Sequence, residues 1–135
     1  MATQKRLGDP INHLPGVQHT VGEMEIELAK CRSMLQQAGT NVDEFLAEYQ
    51  HSQPSLAAAH ELMKDYQCAK WVVNRGAIDI VSHAMDLVGG AGFVNAHPLA
   101  RLYRDVRAGP FMQPYSPTEA RGYVGKVVLG LLPDR

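Results

Sequence analysis

Apolar side chains at Val17, Val21, Met24, Leu28, Cys31 and Leu35 recur at alternating steps of four and three residues, which keeps them on one stripe of an α-helix. This predicts a first helix that stops at the break Gly39-Thr40-Asn41. Asn41, with Glu44 three residues later, has the form of an N-cap with its capping box. It predicts a separate short helix over VDEFLAEYQ, ending near His51. Ser52 or Ser55, with Pro54 between them, then opens the longest helix. There Leu62, Tyr66, Ala69, Val73, Ala77, Ile80, Ala84 and Leu87 form one apolar stripe, and Met63, Trp71, Val72, Ile78, Val81 and Met85 form a second. A helix apolar on two sides is expected at the centre of a bundle.

Gly89-Gly90 follows, and a glycine there takes the left-handed conformation that ends a helix. Pro98 fits the first position of the next helix, with Leu99, Leu102, Tyr103 and Val106 inward and Arg101, Arg104 and Arg107 outward. Gly109-Pro110 closes it. Ser116-Pro117-Thr118-Glu119 supplies cap, first-turn proline and capping-box glutamate for a last helix bearing Ala120, Val124, Val127 and Leu131. No segment alternates at period two. The expected architecture is all-α, an up-and-down four-helix bundle forming a single domain over residues 1–135.

The glycine break and the helix after it carry a specific pattern. Asp86, Gly89, Gly90, Gly92, Phe93, Pro98, Arg101, Tyr103, Arg104, Asp105, Arg107 and Pro110 stand at the spacing Gln-x-x-Gly-Gly-x-Gly-Phe/Tyr, then Pro-x-x-Arg-x-Tyr-Arg-Asp-x-Arg. With LGDPINHLPG upstream, the chain resembles the C-terminal helical domain of the acyl-CoA dehydrogenases along nearly its whole length. The resemblance implies an FAD-dependent oxidoreductase acting on an acyl-CoA, in which this bundle contributes to the flavin site and the oligomer core. It also implies two further domains that 135 residues do not hold.

Residue by residue, the chain departs from that pattern where the chemistry lies. The family's general base is a glutamate after the Arg-Asp-x-Arg helix, and alignment on Pro110 puts Gln113 in its place. A glutamine amide has no lone pair basic enough to take a proton near neutrality. The family's flavin-binding arginine and glutamine fall on Gln4 and Pro15, which removes two donors to a pyrophosphate. Asp86 replaces the glutamine of the glycine motif where the neighbouring subunit's flavin would approach. Gly89 and Gly90 keep the close backbone approach such a contact needs, and they serve equally as a helix cap. Ser116 alone survives as a polar flavin-side residue, and the capping box favours its reading as an N-cap. The expected flavin contacts are therefore Asp86, Gly89, Gly90 and Ser116, and the chain alone is expected to be inactive and not to retain FAD.

Thirteen basic against fourteen acidic side chains give a formal charge of -1, which argues against a nucleic-acid partner. No apolar run approaches the ~20 residues of a membrane span, and no apolar leader opens the sequence, so no membrane association and a cytoplasmic location are expected. The six histidines show no His-x-x-x-His pairing, so no metal is expected. Cys31 and Cys68 read as small packed thiols. The row Arg101, Arg104, Arg107 reads as a solvated face or as a grip on a phosphate such as that of CoA. Two readings of the function follow: a bundle or divergent subunit of an acyl-CoA dehydrogenase-like flavoprotein, or a non-catalytic assembly module that binds a flavoprotein partner. Either one covers apolar surface by forming a dimer or tetramer or by docking on that partner, with Trp71, Ile78 and Met85 as expected contacts.

Overall fold

The computed structural model describes residues 5–6 and 9–132. The chain enters through a minimal antiparallel pair, β1 (Lys5–Arg6) with β2 (Asp9–Pro10). Four helices follow: α1 (Pro15–Glu48), α2 (Leu56–Val88), α3 (Pro98–Ala108) and α4 (Pro117–Val128). The all-α bundle expected from the periodicity is the observed fold. Its two long helices form an antiparallel pair, and α3 and α4 both pack on α2.

The expected break at Gly39-Thr40-Asn41 is absent, because α1 runs through it for 34 residues. Each polar side chain there finds a partner without leaving the helix. Thr40 donates its hydroxyl proton to the Gln36 carbonyl at 3.1 Å. Asn41 accepts from Gln37 at 2.7 Å and donates to Asp65 of α2 at 2.8 Å. Asn41 is thus a cross-link between helices rather than a cap, and packing on α2 offsets the ~1 kcal/mol that a helical glycine costs. The other helix starts fall as the sequence indicates, but α4 ends at Val128, so Leu131, expected on it, lies beyond the helix and is exposed. Ser55 caps α2 by accepting from the Ala58 N–H at 3.1 Å, and Pro98 and Pro117 occupy the first turns of α3 and α4.

Small residues bring α1 and α2 together. Gly76 is buried in α2, and a Cβ there would collide with the buried Cys31 Sγ and lie 2.7 Å from Glu27 Oε1. Cys31, Ala69 and Ala120 are the buried apolar side chains among the described residues. Burial pushes the Cys31 and Cys68 thiols up, away from the reactive thiolate, and both are free. Trp71, Ile78 and Met85 are half-buried within the chain's own packing. On α3, Leu99 and Val106 face inward but Leu102 and Tyr103 are exposed, contrary to expectation. The short α3 packs chiefly on α2, so a single narrow stripe of it is covered.

Two outcomes follow for stability. Gly76→Ala gains ~1 kcal/mol of helix propensity but overpacks the crossing at a cost of about 1–3 kcal/mol. The expected net result is a lower melting temperature, recovered in part by adding Cys31→Ala; a rise in melting temperature for Gly76→Ala alone contradicts the close crossing. At α4, hydrogen bonds from Ser116 hold the Glu119 carboxyl below the usual glutamate range. A depressed acid stabilises the fold above its unfolded value of about 4.3 and loses that contribution as pH falls through the lower folded value. Amide exchange in the first turn of α4 is therefore expected to accelerate below that range, and Glu119→Gln is expected to remove this pH dependence.

Candidate functional site

The segment that carries Gln113 is fastened to the middle of α2. After α3, a 3-10 turn over Gly109–Phe111 reverses the chain, and the Gln113-Pro114 peptide is cis. The Lys70 ammonium donates to the Met112 carbonyl and, at 2.6 Å, to the Tyr115 carbonyl, on either side of Gln113. These backbone positions are held while the Gln113 side chain stays exposed. Tyr115 stacks on Tyr123 of α4 at 5.0 Å between ring centroids. The Tyr123 hydroxyl lies 2.7 Å from His60 Nδ1 of α2, and burial, with Tyr115 and Glu61 nearby, pushes the phenol up. The phenol therefore stays protonated and a hydrogen-bond partner rather than an acid near neutrality.

Ser116 is committed to the capping box. Its N–H donates to Glu119 Oε2 at 2.9 Å, and its Oγ accepts from the Glu119 N–H at 3.5 Å. No carboxylate stands between Pro110 and Thr118. The nearest in sequence, Glu119, is engaged by Ser116, so the segment presents an exposed amide where the family pattern has a base.

The glycine motif lies at the far end of α2. Gly89 takes φ 69 and its N–H bonds the Met85 carbonyl, so it is a helix cap as expected. Gly90 follows in a 3-10 turn over Gly89–Phe93. Asp86, Gly89 and Gly90 are exposed, and a Cβ at either glycine meets nothing within 4 Å, so a group arriving from outside has open backbone to approach. Phe93 is 70% exposed beside them. Arg101 and Arg104 are solvated and lie 3.7 and 4.0 Å from Asp105, so these two of the three arginines are ion-paired on an exposed face.

Lys70 and Val88 are separated along α2 by about 27 Å at 1.5 Å per residue, so the structure does not gather the expected flavin contacts into one pocket. Gln113 and Ser116 stand at the middle of α2, and Asp86, Gly89 and Gly90 stand at its end. Gln4 lies outside the described residues, and Pro15 is the exposed first residue of α1, without an N–H or side-chain donor. Among the described residues no group of three or more His, Cys, Asp or Glu could hold a metal, and no helix is long and apolar enough to cross a membrane. The Lys70 clamp and the His60–Tyr123 hydrogen bond were not legible in the sequence, because their partners lie 42 to 63 residues apart with no local spacing to mark them.

Comparison with known proteins agrees with this geometry. Residues 1–113 match the family model described as acyl-CoA dehydrogenase, C-terminal domain. The chain is 42% identical to the amino sugar nitrososynthase DnmZ of Streptomyces peucetius over 115 residues, 85% of this chain and 28% of that protein. It is 39% identical to the L-evernosamine nitrososynthase of a Micromonospora species, over 86% of this chain and 27% of the relative. The crystallographically described KijD3, in complex with FMN and dTDP-3-amino-2,3,6-trideoxy-4-keto-3-methyl-D-glucose, superposes with a TM-score of 0.84 at 35% identity, covering 98% of this chain and 31% of that one. The chain thus spans less than a third of the length of these relatives. Helix order, the glycine motif and the matched residues together make the chain a member of the acyl-CoA dehydrogenase family, corresponding to its C-terminal domain.

Proposed function

We propose that this chain serves as the C-terminal bundle of a flavin-dependent oxidoreductase that oxidises a substrate amine, and that it is not catalytic alone. The observation that carries this reading is the exposed Gln113 amide at the family's base position, with no free carboxylate in its segment. Oxidising an acyl-CoA at carbon requires a base to remove a C–H proton. Oxidation at nitrogen starts from the amine's own lone pair and makes no such demand. The similarity to amino sugar nitrososynthases and to a flavin-bound sugar complex supports the same choice. A flavin, FMN or FAD, supplies the redox chemistry when bound. This chain's part is to present the Gln113 segment through Lys70 and the open Gly89-Gly90 backbone as two separate edges of sites completed by other domains or subunits.

Surface area supports that incompleteness. A compact 14.8 kDa monomer exposes about 7,000 Å², whereas this chain exposes 9698 Å². Along α1, Val21, Leu35, Val42 and Leu46 share one helix face and are 39 to 63% exposed, a long apolar row of the kind that marks a contact surface. This row is barer than Trp71, Ile78 or Met85. In the second reading, assembly module, the same row docks on a second copy or on a flavoprotein partner.

Three results are expected. The purified chain shows no flavin absorbance and no acyl-CoA-dependent dye reduction, and Gln113→Glu does not change this, because a base without a hydride acceptor has nothing to couple to. Replacing the matching segment of DnmZ with this chain preserves amino sugar oxidation; a chimera that instead reduces dye with acyl-CoA contradicts the amine reading. Sedimentation equilibrium at micromolar concentration gives a mass above 14.8 kDa, and Leu35→Glu with Leu46→Glu weakens association by roughly tenfold or more. A wild-type monomer rejects self-association.

A further inference from the structure

Two guanidinium groups converge on one indole where α4 starts against α2. Arg75, one turn beyond Trp71 on α2, holds its Cζ 4.8 Å from the Trp71 ring centroid, and Arg121 reaches the same ring from α4 at 5.2 Å. The two charges therefore stand within about 10 Å of each other, the most that two such distances from one point allow, and they repel. Both side chains are exposed, and neither forms an ion pair among the described residues. The acids closest in sequence do not compensate them. Asp79, four residues after Arg75, makes no ion pair with it, and Glu119 is engaged in the cap of α4. Lys70 adds a third cation beside Trp71, directed at the Met112 and Tyr115 carbonyls rather than at a carboxylate. It borders one small space of about 20 Å³ together with Arg75, Tyr115 and Pro117. In a chain whose formal charge is only -1, positive charge thus accumulates without counter-charge beside the segment that carries Gln113.

Contact with the indole restricts both guanidiniums, so little side-chain freedom is left to lose when an anion arrives. Each planar fork matches a pair of phosphoryl oxygens. A lone carboxylate fills one fork, whereas two joined phosphoryl groups bring oxygens and charge enough for both. We propose that Arg75 and Arg121 form a binding site for a diphosphate group, with Trp71 holding the two forks in place. The position beside Tyr115 and Pro117 sets the bound group next to the Gln113 segment. The site does not rest on amine oxidation and is tested by binding alone. An acidic stretch of a partner protein is the competing occupant, and a carboxylate probe separates the two.

Trp71 is the only tryptophan, so its fluorescence reports an anion on the two arginines directly, and the Nε–Hε resonances of Arg75 and Arg121 give a second readout. The probes, at matched ionic strength, are inorganic diphosphate, adenosine diphosphate, inorganic phosphate and citrate, which carries comparable charge on carboxylates. Diphosphate is expected to bind about fivefold or more tightly than phosphate or citrate. Adenosine diphosphate binding as well as diphosphate, or better, identifies an ester as the source; weaker binding identifies free diphosphate, and either supports the site. Arg75→Gln and Arg121→Gln are each expected to weaken diphosphate binding by about fivefold, and the double variant to abolish it. Arg101→Gln makes the same change of net charge on α3 and should leave binding unchanged. These three arginines are exposed, so the variants keep the fold, which circular dichroism checks. Silence of both readouts with diphosphate overturns the proposal, since the arginines then only cover the indole. Citrate binding as tightly as diphosphate overturns it in favour of an acidic partner, and an equal loss in Arg101→Gln overturns it in favour of a diffuse field. Should a variant lose its fold, the ranking of the four probes on the wild type still decides.

Discussion

The close approach of α1 to α2 at Cys31 and Gly76 is the contact from which the other positions follow. The 34-residue and 33-residue helices approach most closely where the crossing carries small side chains. Glycine against cysteine provides that. Once the pair is set, Asn41 reaches Asp65 across the interface, and α2 becomes the support on which α3, α4 and the Gln113 segment are hung. Lys70 on that support holds the carbonyls around Gln113, and Gly89 ends it with an open backbone turn. The distance between these two edges is therefore the distance along one rigid helix, and no local rearrangement merges them.

This geometry gives the chain the fold of a family domain with its two motif-bearing edges held apart along α2. Its fully buried apolar side chains are small, and its large ones remain at the surface. Apolar surface is left exposed along α1, the kind of face that marks a contact surface. Where the family pattern has a base, an amide is exposed, and the nearest carboxylate in sequence, Glu119, is engaged in a helix cap. The proposed function follows from that arrangement, since oxidation of an amine uses the substrate's own electron pair.

Much of this was written in local patterns. Ser55, Pro98, Ser116 with Glu119, and Gly89 mark helix ends because capping is decided by neighbours in sequence, and all of them are found in those roles. Gly39-Thr40-Asn41 misled for the same reason: the local signal favoured a break, and it was overridden by Asp65, 24 residues away, which gives Asn41 a better partner. The amphipathic stripe of α3 suggested more inward residues than one neighbouring helix can cover. The Gln113 position was legible only through family spacing, and the Lys70 clamp, the Tyr115–Tyr123 stack and the contact of Arg121 with Trp71 only through tertiary structure.

Native-state amide hydrogen exchange tests the central claim most directly, because it ranks the stability of each element in one experiment. If the α1–α2 crossing supports the rest, the slowest amides cluster around Cys31 and Gly76 on both long helices, and α3, α4 and the 109–116 segment open at lower free energy without releasing them. Slowest exchange in α3 or α4, or opening of the α1–α2 crossing while α4 stays protected, would contradict this account.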